Sequence, residues 1–162
     1  MEIRLATDDD WAGIWPIYRA IAAAGETYAI PTDVTETAAR IDWMEQRPGA
    51  TFVAVDVTGA VLGTARAYPN RPAAGSHVAS ASFMVDPDHS GRGTGRALGE
   101  HVIRWAREHG FRAIQFNAVV ESNERAVALW QSLGFVILTT VSEAFGHPTQ
   151  GYVGLHIMHR YL

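Results

Sequence analysis

The sequence predicts a mixed α/β (α+β) domain: a mostly antiparallel central sheet with helices on both faces and one parallel strand pair. Three observations carry this. Apolar runs at 52–57 and 61–68 flank a turn containing Thr58 and Gly59, a hairpin signal. An apolar run at 78–85, a glycine-rich loop, an amphipathic stretch and a second run at 113–120 form a strand–helix–strand unit. Such a unit pairs its strands in parallel through a right-handed crossover. Two further apolar runs, 135–141 and 152–161, close the chain after a last helix.

The remaining elements follow in order. Residues 3–6 read as a first strand. Thr7 and Asp10 stand at capping-box spacing before a helix whose inner face is Trp11, Ile14, Trp15, Tyr18 and Ile21. Pro16 inside it predicts a kink or a late start. "AGETYAIPTD" (24–33) is a loop, and Asp33 is placed to cap a second helix carrying Ala38, Ile41 and Met44. Arg47 to Gly49 end that helix. "PNRPAAG" (69–75) is a turn. After the glycine loop, Leu98, Val102, Trp105 and Ala106 share one helical face, and His109 and Gly110 close it. The last helix, 123–133, carries Ala126, Leu129, Trp130 and Leu133, and Gly134 ends it. A long link containing "FGHPTQG" (145–151) joins the two final strands.

Length and composition narrow the class. With 162 residues the chain fits one domain, 1–162, able to bury a core without staples. The absence of cysteine excludes a disulfide frame and thiolate chemistry. A net charge of −4 argues against the broad basic footprint of a nucleic-acid binder. The seven histidines are scattered, so no metal-ligand spacing is present. Asp8, Asp9 and Asp10 interrupt any N-terminal signal pattern, and no apolar run approaches membrane-span length. The expectation is a soluble cytoplasmic protein without metal, nucleic-acid or membrane partners.

The chemistry is concentrated in "VDPDHSGRGTGRAL" (85–98). Phosphate needs several N–H donors converging on one point. Glycine lets backbone approach closely, and a helix N-terminus adds unpaired amides and a positive dipole end. Arg92 and Arg96 add charge at the rim. Two known loop types do not fit. No Gly-Lys-Ser/Thr is present for a P-loop. The dinucleotide pattern G-x-G-x-x-G fails from either start, because Arg96 or Leu98 stands where the last glycine belongs.

The stretch instead resembles the coenzyme A loop of the GNAT superfamily of acyl-CoA N-acyltransferases, a strand ending V-x-P followed by [QR]-x-x-G-x-[GA]. Val85 and Pro87 match the strand end, and Gly93 and Gly95 match the fixed loop positions. Ser90 replaces the usual Gln or Arg, which removes a longer side-chain contact but keeps the backbone amides. "NERAVALWQSLGF" (123–135) is similar to the family's next helix and strand.

The resemblance implies a GNAT-like sheet with the parallel pair parted at the acyl-CoA site. It implies acetyl-CoA as co-substrate, held by Gly91, Arg92, Gly93, Thr94, Gly95 and Arg96, with the pantetheine pairing to backbone at Met84 and Val85. The amide near Val85 would polarise the thioester carbonyl. Asn123 matches the family's pantetheine-contacting Asn and is equally an N-cap type. The family's acid, a Tyr one residue after the Leu of N-x-x-A-x-x-L-Y, is here Trp130. Indole donates a hydrogen bond but no proton, and Trp130 otherwise reads as core. Tyr28 and Tyr152 are the named substitutes.

An attacking amine must be neutral, which calls for a base. Glu121, after the second parallel strand, and Glu26, in the loop that the resemblance implies as one wall of the acceptor site, are the candidates; each also reads as an ordinary loop glutamate. By alternation Gln115, Asn117, Val119 and Glu121 share one strand face, and Asn117 is placed to orient acceptor or acyl group. His147 is a further acceptor-site candidate. "AGETYAIP", "FNAVVESN" and "FGHPTQGYV" are similar to small N-acetyltransferases acting on amino acids or analogues, phosphinothricin included. The expected function is acetyl transfer from acetyl-CoA to a small primary or secondary amine. A non-catalytic acyl-CoA sensor and a protein-lysine or N-terminal acetyltransferase are the alternatives. A homodimer is implied by the resemblance alone.

Overall fold

In the computed structural model, which describes residues 1–44 and 47–162, the chain runs β1 (Glu2–Leu5), α1 (Trp11–Ala24), α2 (Glu36–Trp43), β2 (Ala50–Val55), β3 (Val61–Pro69), β4 (Val78–Val85), α3 (Thr94–Glu108), β5 (Ala113–Val120), α4 (Glu124–Ser132), β6 (Val136–His147) and β7 (Gly151–Tyr161). Among the described residues the strands form a seven-stranded sheet in the order β1-β2-β3-β4-β5-β7-β6. Every neighbouring pair is antiparallel except β4 and β5.

Two cores sandwich the sheet. Leu98, Val102, Trp105 and Ala106 of α3, Trp130 of α4 and Leu133 at its C-cap pack with Phe52, Ala65, Ile114 and Phe116 on one face. Trp11, Ile14, Ile17 and Tyr18 of α1 and Ala39 and Trp43 of α2 pack with Val53, Val55 and Met84 on the other. Strand β2 is buried along its whole length because both layers cover it. That explains its continuous apolar run.

Several expectations are corrected. Helix α1 runs unbroken from Trp11 through Pro16, so it does not start late. Helix α2 is capped by Thr35, whose hydroxyl accepts from the Ala38 amide at 3.3 Å, and not by Asp33. Its inward residues are Ala39 and Trp43; Ala38 is exposed and Ile41 is 78% exposed. The buried pair lies about half a turn round the helix from the face expected at Ala38 and Ile41, while Met44, just past the helix end, packs partly against the same core. The cause is Trp43: its indole fills the space above β3, and its Nε1–H donates to Thr64 Oγ1 at 2.9 Å. The helix also ends at Trp43, ahead of Arg47.

The expected long link before the last strand is largely strand. β6 continues through His147 and pairs it with Gly151, leaving residues 148–150 as the turn. The register breaks between Val141 and Phe145, where Glu143 has φ 53°. This irregularity hid the second half of the strand from a period-2 reading.

Candidate active site

The sheet opens where β4 and β5 part. Their parallel pairing is confined to Val78 with Ala113 and Ala79 with Ile114. Beyond Ala79 the strands diverge, and a cleft of about 690 Å³ fills the gap. Ala81, Ser82, Phe83 and Val85 line it from β4, and Phe116, Asn117, Ala118, Val119 and Val120 from β5.

A β-bulge shapes the second wall. Register between β5 and β7 shifts between Phe116, opposite Met158, and Val119, opposite His156. Asn117 and Ala118 therefore face Ile157 as two residues against one. The bulge resets the alternation. Val119 packs with the α3/α4 core beside Phe116, not on the face of Asn117, and the expected shared face of Gln115, Asn117, Val119 and Glu121 ends at the bulge. The Asn117 amide is tied on both sides. Its Nδ2 donates to Asn70 Oδ1 at 2.6 Å, and its Oδ1 accepts from Gln115 Nε2 at 2.9 Å.

The glycine loop forms one mouth of the cleft. Gly91 and Gly93 hold φ of 78° and 85°, the left-handed region that other residues enter at a cost. Gly93 is the N-cap of α3, so the first α3 amides and the dipole end point out of the loop. Ser90, Gly91, Gly93, Thr94, Gly95 and Arg96 all line the cleft. The Thr94 side chain is buried, its methyl against Gly63, which leaves its backbone for a ligand. Arg96 donates to Ser132 Oγ at 2.7 Å and bridges α3 to α4. Arg92 is exposed and stands off the wall.

Arg125, in the first turn of α4, is a site residue that motif reading missed. It lines the cleft, and its Nη2 lies 3.5 Å from where a Cβ on Gly91 would stand. A cation thus hangs over bare backbone beside a helix N-terminus. The signal was its position two residues after Asn123; only the packing of α4 beside the loop made it decisive. Asn123 lines the cleft and caps α4, its Oδ1 accepting from the Ala126 amide at 3.2 Å.

Trp130 is 7% exposed, with its ring 4.6 Å from Phe83 and 5.0 Å from Phe116. It is core and cleft floor together.

Met84 does not offer its backbone to the cleft. It pairs with Thr64 of β3, and its carbonyl points at Gly63. Alternation then turns the neighbouring residues the other way. The Asp86 amide bonds Leu62 of β3, so the Val85 backbone faces the opening. Phe83 faces it too, but both of its groups are occupied. The Tyr28 hydroxyl donates to the Phe83 carbonyl at 2.7 Å and accepts from the Phe83 amide at 2.9 Å. Burial, ahead of any other cause, pushes the Tyr28 phenol up to about 12.

The remaining candidates lie elsewhere. Glu121 is off the wall, and its Oε2 accepts from the Gly154 amide at 3.0 Å, pinning β7. Glu26 is exposed in the loop after α1 and also off the wall. His147 and Tyr152 sit at the far end of the β6–β7 hairpin, with Tyr152 77% exposed; that hairpin contributes Phe145 and Leu155 to the cleft instead. The polar wall on the α1/α2 side consists of Thr27, Tyr68, Ser80 and Ser82. Among the described residues no Asp, Glu or His lines the cleft, and no group of three His, Cys, Asp or Glu is arranged to hold a metal. No described helix is long and apolar enough to cross a membrane.

Comparison with known proteins places this architecture. The model of the acetyltransferase (GNAT) family matches residues 11–135, and the chain belongs to that family. It is 36% identical over 141 residues to the L-amino acid N-acyltransferase MnaT of Escherichia coli, covering 85% of this chain and 80% of that one. It is 31% identical over 113 residues to the N-acetyltransferase aca1 of Schizosaccharomyces pombe, and the match spans 53% of that protein's length. A GCN5-related N-acetyltransferase from Kribbella flavida superposes with a TM-score of 0.97 at 58% identity, covering 99% and 97% of the two chains. The acetyltransferase yncA of Salmonella typhimurium, solved with its cofactor acetyl-CoA, superposes at 0.87 with 26% identity, covering 100% and 94%.

Proposed function

We propose that this protein moves an acetyl group from acetyl-CoA to the primary or secondary amine of a small molecule, an amino acid or an analogue of one. The observation that carries the reading is the cleft between β4 and β5, open at the glycine loop and lined by an outward-facing strand edge. The residues present fit the coenzyme. Gly91 and Gly93 leave a surface that a side chain would obstruct, and the α3 N-terminus and Arg125 supply positive charge for phosphate. When bound, acetyl-CoA supplies an acetyl group activated as a thioester.

The chain's own groups then have distinct tasks. The Val85 amide points into the opening and serves as a hydrogen-bond donor to a carbonyl oxygen there. Asn123 stands beside the same path. Asn117, held by Asn70 and Gln115, presents a fixed amide on the acceptor side. Ser80, Ser82 and Tyr68 supply hydroxyls that pass the amine proton to water, because the described wall has no carboxylate or imidazole to take it. Glu121 acts by positioning Gly154 and not as the base. A thiol of pKa about 8.5 leaves as thiolate without a protein acid.

The likeness to an amino-acid acyltransferase supports a small acceptor over a protein one. A cytoplasmic setting and a homodimer complete the proposal. The test is thiol release from acetyl-CoA against a panel of amino acids, sulfoximine and phosphinothricin analogues, polyamines and a lysine peptide. Amine-dependent release with amino-acid acceptors is expected. Acetyl-CoA binding without release for any amine would favour the sensor reading.

A further inference from the structure

We propose that Phe145 selects the acceptor: set by the β6 bulge, its ring walls the cleft on the face away from the glycine loop, so that the amine taken carries a compact hydrocarbon side chain and a long one is turned away. This rests on the acetyl-transfer reading of the cleft and names the class of acceptor within it.

The register of β6 on β7 puts the ring there. Val141 stands opposite Leu155 and Phe145 opposite Val153, so residues 142–144 of β6 face Gly154 alone. In a regular strand the residue opposite Val153 would be Glu143. The bulge replaces it. Glu143, at φ 53°, is exposed, and Phe145 takes the station on the cleft wall. A phenyl ring thereby stands where a carboxylate would have stood.

Alternation fixes the side of the sheet. Met158 of β7 belongs to the α3/α4 core, so Val153 and Leu155 point to the opposite face, and Phe145 shares it with Val153. Ile114 and Phe116 of β5 belong to the same core, so Asn117 also points to the opposite face. Phe145 thus lies on the acceptor side with Asn117, and the glycine loop lies on the side of α3.

Phe145 has no packing task elsewhere. It is 7% exposed, whereas residues 136–144 of the same strand are all exposed. Among the described residues it belongs to neither core. A large apolar side chain withdrawn from solvent outside both cores is placed for a ligand. Ile21 and Leu155 line the cleft with it, and Tyr68 and Ser82 supply hydroxyls to the same cleft. An apolar wall with a few polar groups grips a hydrocarbon body and orients its polar end.

The experiment measures thiol release from acetyl-CoA with straight-chain L-α-amino acids from glycine to 2-aminooctanoate, which differ by one methylene at each step. In the wild type kcat/KM should rise about three- to tenfold per methylene, pass a maximum and then fall. Phe145→Ala should move the maximum to chains longer by about two methylenes or more. The ratio of kcat/KM for the longest acceptor to that for the shortest should rise about tenfold or more, with KM for acetyl-CoA within about threefold. A maximum that stays in place in the variant, or an equal loss for every acceptor, overturns the selection by Phe145. The wild type tests it without any variant: a flat profile along the series, or release only with amines outside the series, overturns it as well. Absence of release with any amine, when coenzyme A binding is confirmed by calorimetry, overturns the acetyl-transfer reading, and the task of Phe145 with it.

Discussion

Trp43 Nε1–H donates to Thr64 Oγ1 at 2.9 Å, and the Thr64 hydroxyl in turn donates to the Phe52 carbonyl at 2.8 Å. Both side chains are fully buried. This chain fastens α2 to the middle of the sheet and braces the ring of Tyr28. Thr64→Val keeps the volume and removes the acceptor, leaving the indole N–H buried without a partner. The expected loss is about 1–3 kcal/mol, measured by urea denaturation. Equal midpoints for the two proteins would refute the brace.

A Cβ on Gly99 would stand 2.7 Å from Leu133 Cδ1 and 3.1 Å from Trp130 Cζ3. Gly99→Ala gains about 1 kcal/mol of helix propensity in α3 but overpacks the α3–α4 contact, at a cost of about 1–3 kcal/mol. Trp130 cannot swing away, because Phe83, Phe116 and Phe135 surround it. Net destabilisation of about 1 kcal/mol is expected, together with weaker coenzyme A binding as the cleft floor shifts. Thermal melting and calorimetry measure the two effects, and a stabilised variant would show that the contact has slack.

Arg125 faces the Gly91 backbone from α4. A phosphate contact at this exposed site is worth about 1 kcal/mol, so Arg125→Ala should weaken coenzyme A binding about fivefold. The defect should shrink as salt is raised, since screening removes what the charge supplied. Titration at low and high ionic strength tests this; the same salt dependence in both proteins would place Arg125 outside the phosphate site.

Arg4 grips Asp10 with two hydrogen bonds of 2.7 and 2.8 Å, holding the Asp10 carboxyl down to about 2. The folded-state value lies below the unfolded one, so the pair's contribution is fully present above about pH 4 and is lost as pH falls through about 2. Arg4 is 38% exposed, which reduces the contribution to roughly 1–2 kcal/mol. Asp10→Asn should be less stable by that amount at pH 7, and the two proteins should converge as the pH falls toward about 2. A gap of constant size across the acid range would exclude the ionic mechanism.

Local features are legible in the order of residues. The glycine loop can be read there because its requirements lie within a few consecutive residues: positive φ at Gly91 and Gly93 and a helix start directly after. The α3 face is readable because Leu98, Val102, Trp105 and Ala106 recur at helical spacing and all are buried. Helix α2 reads on the wrong face because its short pattern offers two faces, and the choice is made by Thr64, 21 residues beyond Trp43. Strand β6 reads short because its irregular register at Glu143 breaks alternation.

The catalytic candidates show the same division. Glu121 and Asn117 share one face only if β5 is regular, and the bulge at Asn117 and Ala118 separates them. Tyr28 can be named as a polar residue in the right loop, but its bond to Phe83 spans 55 residues. The order of residues alone is enough for fold class, family and the glycine-loop mouth of the cleft, because each depends on short-range backbone conformation and periodic apolar spacing. Which backbone groups face the cleft, which stay open to a ligand and which charges stand over them are decided in three dimensions. Those properties arise from strand register and from packing between distant segments, and the energies that choose among them act only once the chain has folded.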